Sequence, residues 1–261
     1  MPSHYTHLVF GRLVLEALPT ALRKTALQAE DAYYAGLHGP DILFYYHPLR
    51  ANPVSKKGFD IHFRSGLDFF APAKQILREN PSPARRSYLM GFLCHYMLDS
   101  ACHPYINQKI QESGVTHAEI ETECDALLLR EEGHDPLRWD TIRHLKPSPD
   151  LAAAIAPFYA PVTPRQIEGA MESMKRYVRL FRATGLKRAA AFRLMKLAGV
   201  YEEYHGMFLS PAPNPLCNDS SDTIKDQMLD TVEPTAVQIR RFLQAVGEDL
   251  PLSDRLEPNF S

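Results

Sequence analysis

Eight side chains in the first half of the chain have the types and spacing of a metal cluster: His7, Asp41, His62, His95, Asp99, His103, His117 and Glu121. The centre of the pattern is GFLCHYMLDSACHPYI, residues 91–106. His95 and Asp99 are four apart, so on a helix they share a face one turn from each other. His103 follows at the same interval, just before Pro104, and THAEIE at 116–121 repeats the device with His117 and Glu121. Imidazole and carboxylate are the ligands that suit Zn²⁺ and similar ions. Asp99 lies among Phe92, Leu93, Tyr96, Met97 and Leu98, where a buried carboxylate is costly unless paired or coordinated. A structural His–Asp hydrogen bond would account for the first pair alone; it leaves the second pair unexplained.

The elements that must position these groups read as helices nearly throughout. Leu8, Val9, Leu13, Val14 and Leu18 form a helical stripe that Pro19 stops. Residues 21–35 predict a second helix, 36–41 (GLHGPD) a break, and 44–53 (FYYHPLRANP) an irregular loop. A helix is expected over 59–79, disturbed at Pro72, and the strongest one over 84–103. Its end is set at His103, since a residue before proline is pushed out of the α region. On that reading His103 sits at a frayed end and turns toward a separate ion with His117 and Glu121, while the two oxygens of Asp99 can bridge two ions. Thr116 and Glu119 form a capping box. Thr163-Pro164 with Gln166 starts a helix running to about 183. Residues 187–208 follow, then the connection LSPAPNPL at 209–216, then a last helix over about 221–246 that bends at Pro234. No segment has a convincing strand period. The expected architecture is one all-α domain over residues 1–261.

The 261 residues suffice for a full core. A formal charge of −2 gives no general attraction to nucleic acid or to an anionic surface. The cysteines Cys94, Cys102, Cys124 and Cys217 form no C-x-x-C pair and read as reduced, buried thiols. The N-terminus lacks the basic and apolar regions of a secretion signal, and no stretch approaches the roughly 20 apolar residues that span a bilayer. A cytoplasmic location is the resulting expectation, with export by another route left open.

The ordered set resembles the zinc-dependent phospholipase C family, which shares a fold with the P1-type nucleases. That family runs His, Asp, His, then H-x-x-x-D, His and H-x-x-x-E, and this chain has His7, Asp41, His62, His95–Asp99, His103 and His117–Glu121 in that order. The match covers roughly the first 125 residues. The resemblance implies two or three Zn²⁺ ions on a helical scaffold. Carried over by position, His62, His95 and Asp99 would hold one ion, and His103, His117 and Glu121 the second. His7 and a bridging Asp99 would hold the third, with His4 standing in for the family's ligating N-terminal amine. Asp41 matches the carboxylate proposed in the family as general base. Phe59 matches an aromatic of the family's choline pocket; Ile42 stands where that pocket has a tyrosine, which leaves Tyr45 or Tyr46 to complete it.

The implied activity is hydrolysis of a phospholipid to a diacylglycerol and a phosphorylated headgroup, with transient contact to a membrane surface and no specific nucleic acid partner. Clustered zinc binds the non-bridging phosphate oxygens and lowers the pKa of water. The alternatives are a P1-type nuclease or other phosphodiesterase or phosphatase, and a non-catalytic helical protein stabilised by metal. His38 and His47 flank the Asp41 loop within reach of a substrate; a plain loop role is the competing reading. His134, His144 and His205 read as structural. Lys175, Arg176, Arg179 and Arg182 read as a solvated helix face, with acidic headgroups as the other possibility.

Overall fold

A computed structural model describes residues 4–260 and contains twelve α-helices: α1 (His4–Ala17), α2 (Thr20–Ala26), α3 (Glu30–Gly36), α4 (Pro53–His62), α5 (Gly66–Glu79), α6 (Pro83–Ser113), α7 (His117–Glu131), α8 (Pro149–Ile155), α9 (Pro164–Leu180), α10 (Gly185–Leu197), α11 (Tyr201–Tyr204) and α12 (Asn218–Glu248). Short 3₁₀ segments link several of them, and the described residues contain no strand. The helix starts follow local chemistry. Asn52 and Ser82 accept backbone N–H bonds ahead of Pro53 and Pro83. Thr116–Glu119 and Thr163–Gln166 each form the reciprocal capping box.

Helix α6 runs through the middle. Its residues from Ser87 to Asp99 are all buried, and α1, α2, α3, α7 and α12 pack around it. The contact with α3 is backbone against backbone. A Cβ at Gly91 would sit 2.1 Å from the Tyr33 carbonyl oxygen, and one at Gly36 would sit 2.2 Å from that of Tyr88. Only two glycines allow this approach, and it aims the chain leaving α3 straight at the metal-ligand candidates of α6.

Four expectations are corrected. The helix expected over 21–35 is split by a 3₁₀ turn at Leu27–Ala29. The Asp41 segment is not a loose break but a 3₁₀ helix, Gly39–Tyr45, every residue of which is buried. The interruption expected at Pro72 lies instead at 63–65, between α4 and α5; Pro72 is accommodated inside α5. Finally, α6 does not end at His103. It continues through Pro104 to Ser113 and stops at Gly114, which takes the left-handed conformation with φ of 70°. An internal proline costs about 3 kcal/mol. Burial of Cys102, His103 and Ile106 on either side of it offsets that cost. His103 is therefore held on a regular helix rather than at a frayed end. The four cysteines are free and buried, as expected. None of the described helices is long and apolar enough to cross a membrane.

Candidate metal centre

Five elements deliver the ligand candidates. Helix α1 supplies His7, the Gly39–Tyr45 segment Asp41, and the last residue of α4 is His62. Helix α6 gives His95, Asp99 and His103 on successive turns, and the first two turns of α7 give His117 and Glu121. Three groups result, each with its ligand atoms within 4.8 Å of one another: His7, His95 and Asp99; Asp41, His62 and His95; His103, His117 and Glu121. Asp99 stands between them. Its Oδ1 is 3.1 Å from His7 Nε2 and 4.0 Å from His103 Nε2. Its Oδ2 is 3.1 Å from His95 Nε2 and 4.0 Å from His62 Nε2. Asp41 Oδ1 lies 3.0 Å from His62 Nε2, and Glu121 Oε1 lies 3.1 Å from His117 Nε2 and 3.6 Å from His103 Nε2. Of the sets expected from the sequence, His103, His117 and Glu121 form a group as they stand; His95 and Asp99 group with His7 instead, and His62 groups with His95 and Asp41.

The histidines are prepared as ligands from behind. Nδ1 of His62 donates to the Gly58 carbonyl at 2.9 Å, Nδ1 of His95 to that of Leu37 at 3.2 Å, and Nδ1 of His103 to that of Phe260. A carbonyl can only accept, so Nδ1 carries a proton, and Nε2 is the nitrogen whose lone pair would face a bound ion. Such outer hydrogen bonds are what fix ligating imidazoles. In front, the buried atoms His95 Nε2, His117 Nε2 and Asp41 Oδ1 have close neighbours but no hydrogen bond. Buried polar atoms without hydrogen bonds are expensive. Donors that converge without bonding one another fit a shared cation, and Cys-free imidazole and carboxylate donors fit Zn²⁺.

The charge balance points the same way. For Asp99, burial opposes ionisation, but His95 and His103 hold the carboxyl well below its usual range. Glu121 is also held well below its usual range, with His117 and His103 acting against burial. Carboxylates of this kind stabilise the fold above the ordinary carboxylate range and lose that contribution as pH falls below it. For His103, burial alone would lower the pKa, but Asp99 and Glu121 push it up to about 9. The pocket holds a proton where an ion would otherwise balance the carboxylates. Only His117 opens to solvent, its side chain 35 % exposed.

The remaining candidates occupy a second layer. Phe59 is half-exposed and packs at a tilt against Phe44, ring centroids 4.3 Å apart, and the Phe44 ring is 5.1 Å from that of His62. Tyr45 is buried, its hydroxyl 3.1 Å from His4 Nε2; His4 lies in none of the three groups. His38 Nε2 is 2.8 Å from His144 Nε2, and burial lowers the pKa of His144 to about 3. His144, read from the sequence as structural, is thus the buried partner of His38.

Sequence reasoning also missed Gly39, Tyr159 and Asp125. Gly39 has φ of 47°, and a Cβ there would sit 2.4 Å from the His95 ring; the Tyr159 hydroxyl donates to its carbonyl at 3.0 Å. Asp125 accepts from the backbone N–H groups of Tyr5 and Thr6 at 3.1 and 2.8 Å and from the Thr6 hydroxyl at 2.7 Å. It satisfies N–H groups that a helix start leaves open and fixes the turn carrying His7. Burial raises Asp125 to about 7. The T-E-C-D spacing after Glu121 gave no sign of this role, because its partners are about 120 residues away. Asp125→Ala is expected to lower stability by about 2–4 kcal/mol through orphaned N–H groups and to loosen zinc at His7. Thermal melts and zinc titration of the variant check both effects.

The matching family model is that described as zinc dependent phospholipase C, and it covers residues 6–164. The chain belongs to the zinc-dependent phospholipase C family. No curated protein and no solved structure matches the chain. Membership makes it a hydrolase of phosphodiester bonds that uses zinc. All eight ligand candidates fall inside the matched region, while α10, α11 and α12 lie beyond it.

Proposed function

We propose that the protein is a phospholipase C that splits a phospholipid into a diacylglycerol and a phosphorylated headgroup, using two or three zinc ions held by His7, His62, His95, Asp99, His103, His117 and Glu121, with Asp41 beside them. The observation that carries this reading is Asp99, whose two oxygens face different histidines on opposite sides and so suit a bridge within a multinuclear centre. Bound zinc would neutralise the phosphodiester and acidify a water molecule to near neutral pH.

The chain's own residues do the rest. His62, His95 and His103 are locked with Nε2 forward by their Nδ1 bonds. Asp41 is the base. Its Oδ1 lies 3.0 Å from His62 Nε2, at the edge of the centre, where a carboxylate is placed to accept a proton. As the water oxygen bonds phosphorus and the bond to the glycerol oxygen breaks, Asp41 takes one water proton. The departing oxygen is protonated from solvent at the open His117 edge. Phe59, on the outer side of Phe44, meets the headgroup. Tyr45 and His38 support the site through His4 and His144 rather than by direct contact.

The test combines elemental analysis with a substrate screen. The purified protein should carry two or three equivalents of zinc and hydrolyse phosphatidylcholine or phosphatidylglycerol in preference to single-stranded DNA. A chelator-free preparation with less than about one ion per chain would sink the proposal. A preference for the nucleic acid would move the assignment to a P1-type nuclease.

A further inference from the structure

We propose that α10 is an interfacial helix that docks the enzyme on anionic phospholipid bilayers. This rests on the phospholipase reading above and goes beyond it, since α10 lies outside the family match. None of its thirteen residues is fully buried. The inner side, Ala191, Phe192 and Met195, is partly covered, with Phe192 against Phe208 and Tyr201. The outer side is apolar as well. Leu186, Ala190, Leu194 and Leu197 recur at helical spacing on one face, and the three leucines are 90 %, 66 % and 79 % exposed. A helix that leaves three leucines in water has no reason of its own fold to do so.

Charge identifies what covers them. Residues 173–201 contain eight Lys or Arg and no Asp or Glu, in a chain of formal charge −2. Arg179 and Arg182 are spent on Asp140, and Lys175 on the Leu145 carbonyl. Lys187, Arg193 and Lys196 remain exposed and flank the leucine stripe on both sides by helical position. An apolar stripe edged by cations is the pattern of a helix lying in the plane of a lipid headgroup layer; anionic lipid adds to its binding and salt weakens it.

The helix is also well placed to deliver substrate. The segment that follows it, His205–Met207, packs on the start of α7: a Cβ at Gly206 would lie 2.6 Å from Thr116 Oγ1. Thr116 caps the helix whose first residue is His117, the solvent-open edge of the metal centre.

The experiment is co-sedimentation of the zinc-loaded protein with phosphatidylcholine vesicles, with and without phosphatidylglycerol. Turnover of bis(4-nitrophenyl) phosphate, a water-soluble phosphodiester, is measured in parallel. The expected result is binding that requires phosphatidylglycerol and weakens with salt. The pair Leu186→Glu and Leu197→Glu should reduce it about a hundredfold. The pair Lys187→Gln and Arg193→Gln, on the solvent face and without consequence for folding, should reduce it about fivefold per cation removed. Turnover of the soluble diester should stay at the wild-type rate in both. Wild-type vesicle binding by both pairs overturns the proposal. So does light scattering in which the leucine pair converts a dimer to a monomer, which would make the stripe a contact between copies. A protein that binds vesicles through α10 yet cleaves no phospholipid leaves the docking helix standing and refutes the substrate assignment. One that cleaves phospholipid but binds independently of α10 does the reverse.

Discussion

Asp99→Asn should strip the protein of most of its zinc and abolish phosphodiesterase activity. Its two oxygens face His7 and His103 on one side and His95 and His62 on the other. An amide nitrogen in place of either oxygen removes a ligand from one group and the shared negative charge from both. Losing a mere outer-shell partner already costs about 10–100-fold in metal affinity, so a lost bridge should exceed the upper end. A hundredfold loss of saturation removes about 2.7 kcal/mol of metal-linked stability, which appears as a lower melting temperature. Zinc analysis, melting temperature and turnover of the same preparation should fall together. Full zinc with normal turnover would show that Asp99 is a structural partner of His95.

Asp41→Asn should separate catalysis from metal retention. The substitution keeps the size of the side chain and one acceptor oxygen but removes the charge that makes it a base. Loss of general-base catalysis costs about 10²–10⁴ in rate. His62 and His95 remain to hold the neighbouring ion, and the His103–His117–Glu121 group is untouched. Zinc should therefore drop by less than one equivalent while turnover collapses. Wild-type turnover with full zinc would remove Asp41 from the chemistry and leave proton transfer to solvent.

The clustering of the ligand candidates was legible in the sequence because helices write proximity into spacing. His95–Asp99–His103 and His117–Glu121 lie at intervals of one turn, and their elements turned out to be regular α-helices. The capping boxes at Thr116 and Thr163 were legible for the same reason. Where a proline sat inside a helical pattern, the local rule misplaced the boundary. Tertiary burial carried α6 past Pro104, and the break near Pro72 fell several residues earlier. The supporting layer was illegible because its contacts join distant segments. Asp125 reaches back to Tyr5 and Thr6, His144 to His38, and Tyr159 to the Gly39 carbonyl. No spacing within one element encodes such pairs. The conformation of Gly39 beside the His95 ring likewise depends on an encounter between two helices.

The buried Phe260 ring lies 5.3 Å from that of His62, beside His95 and against Tyr96. Its N–H donates to the His62 carbonyl at 3.2 Å, and its carbonyl receives the His103 Nδ1 proton. One residue thus latches two ligand groups that α4 and α6 contribute separately. Metal affinity becomes a report on whether the segment around Phe260 has docked, roughly 160 residues after the last of those histidines. During synthesis the centre gains its full grip on zinc only when that segment has left the ribosome. Peptide inserted next to Phe260 would disturb the latch, whereas peptide inserted within the proline-rich connection at 209–216 would not touch it.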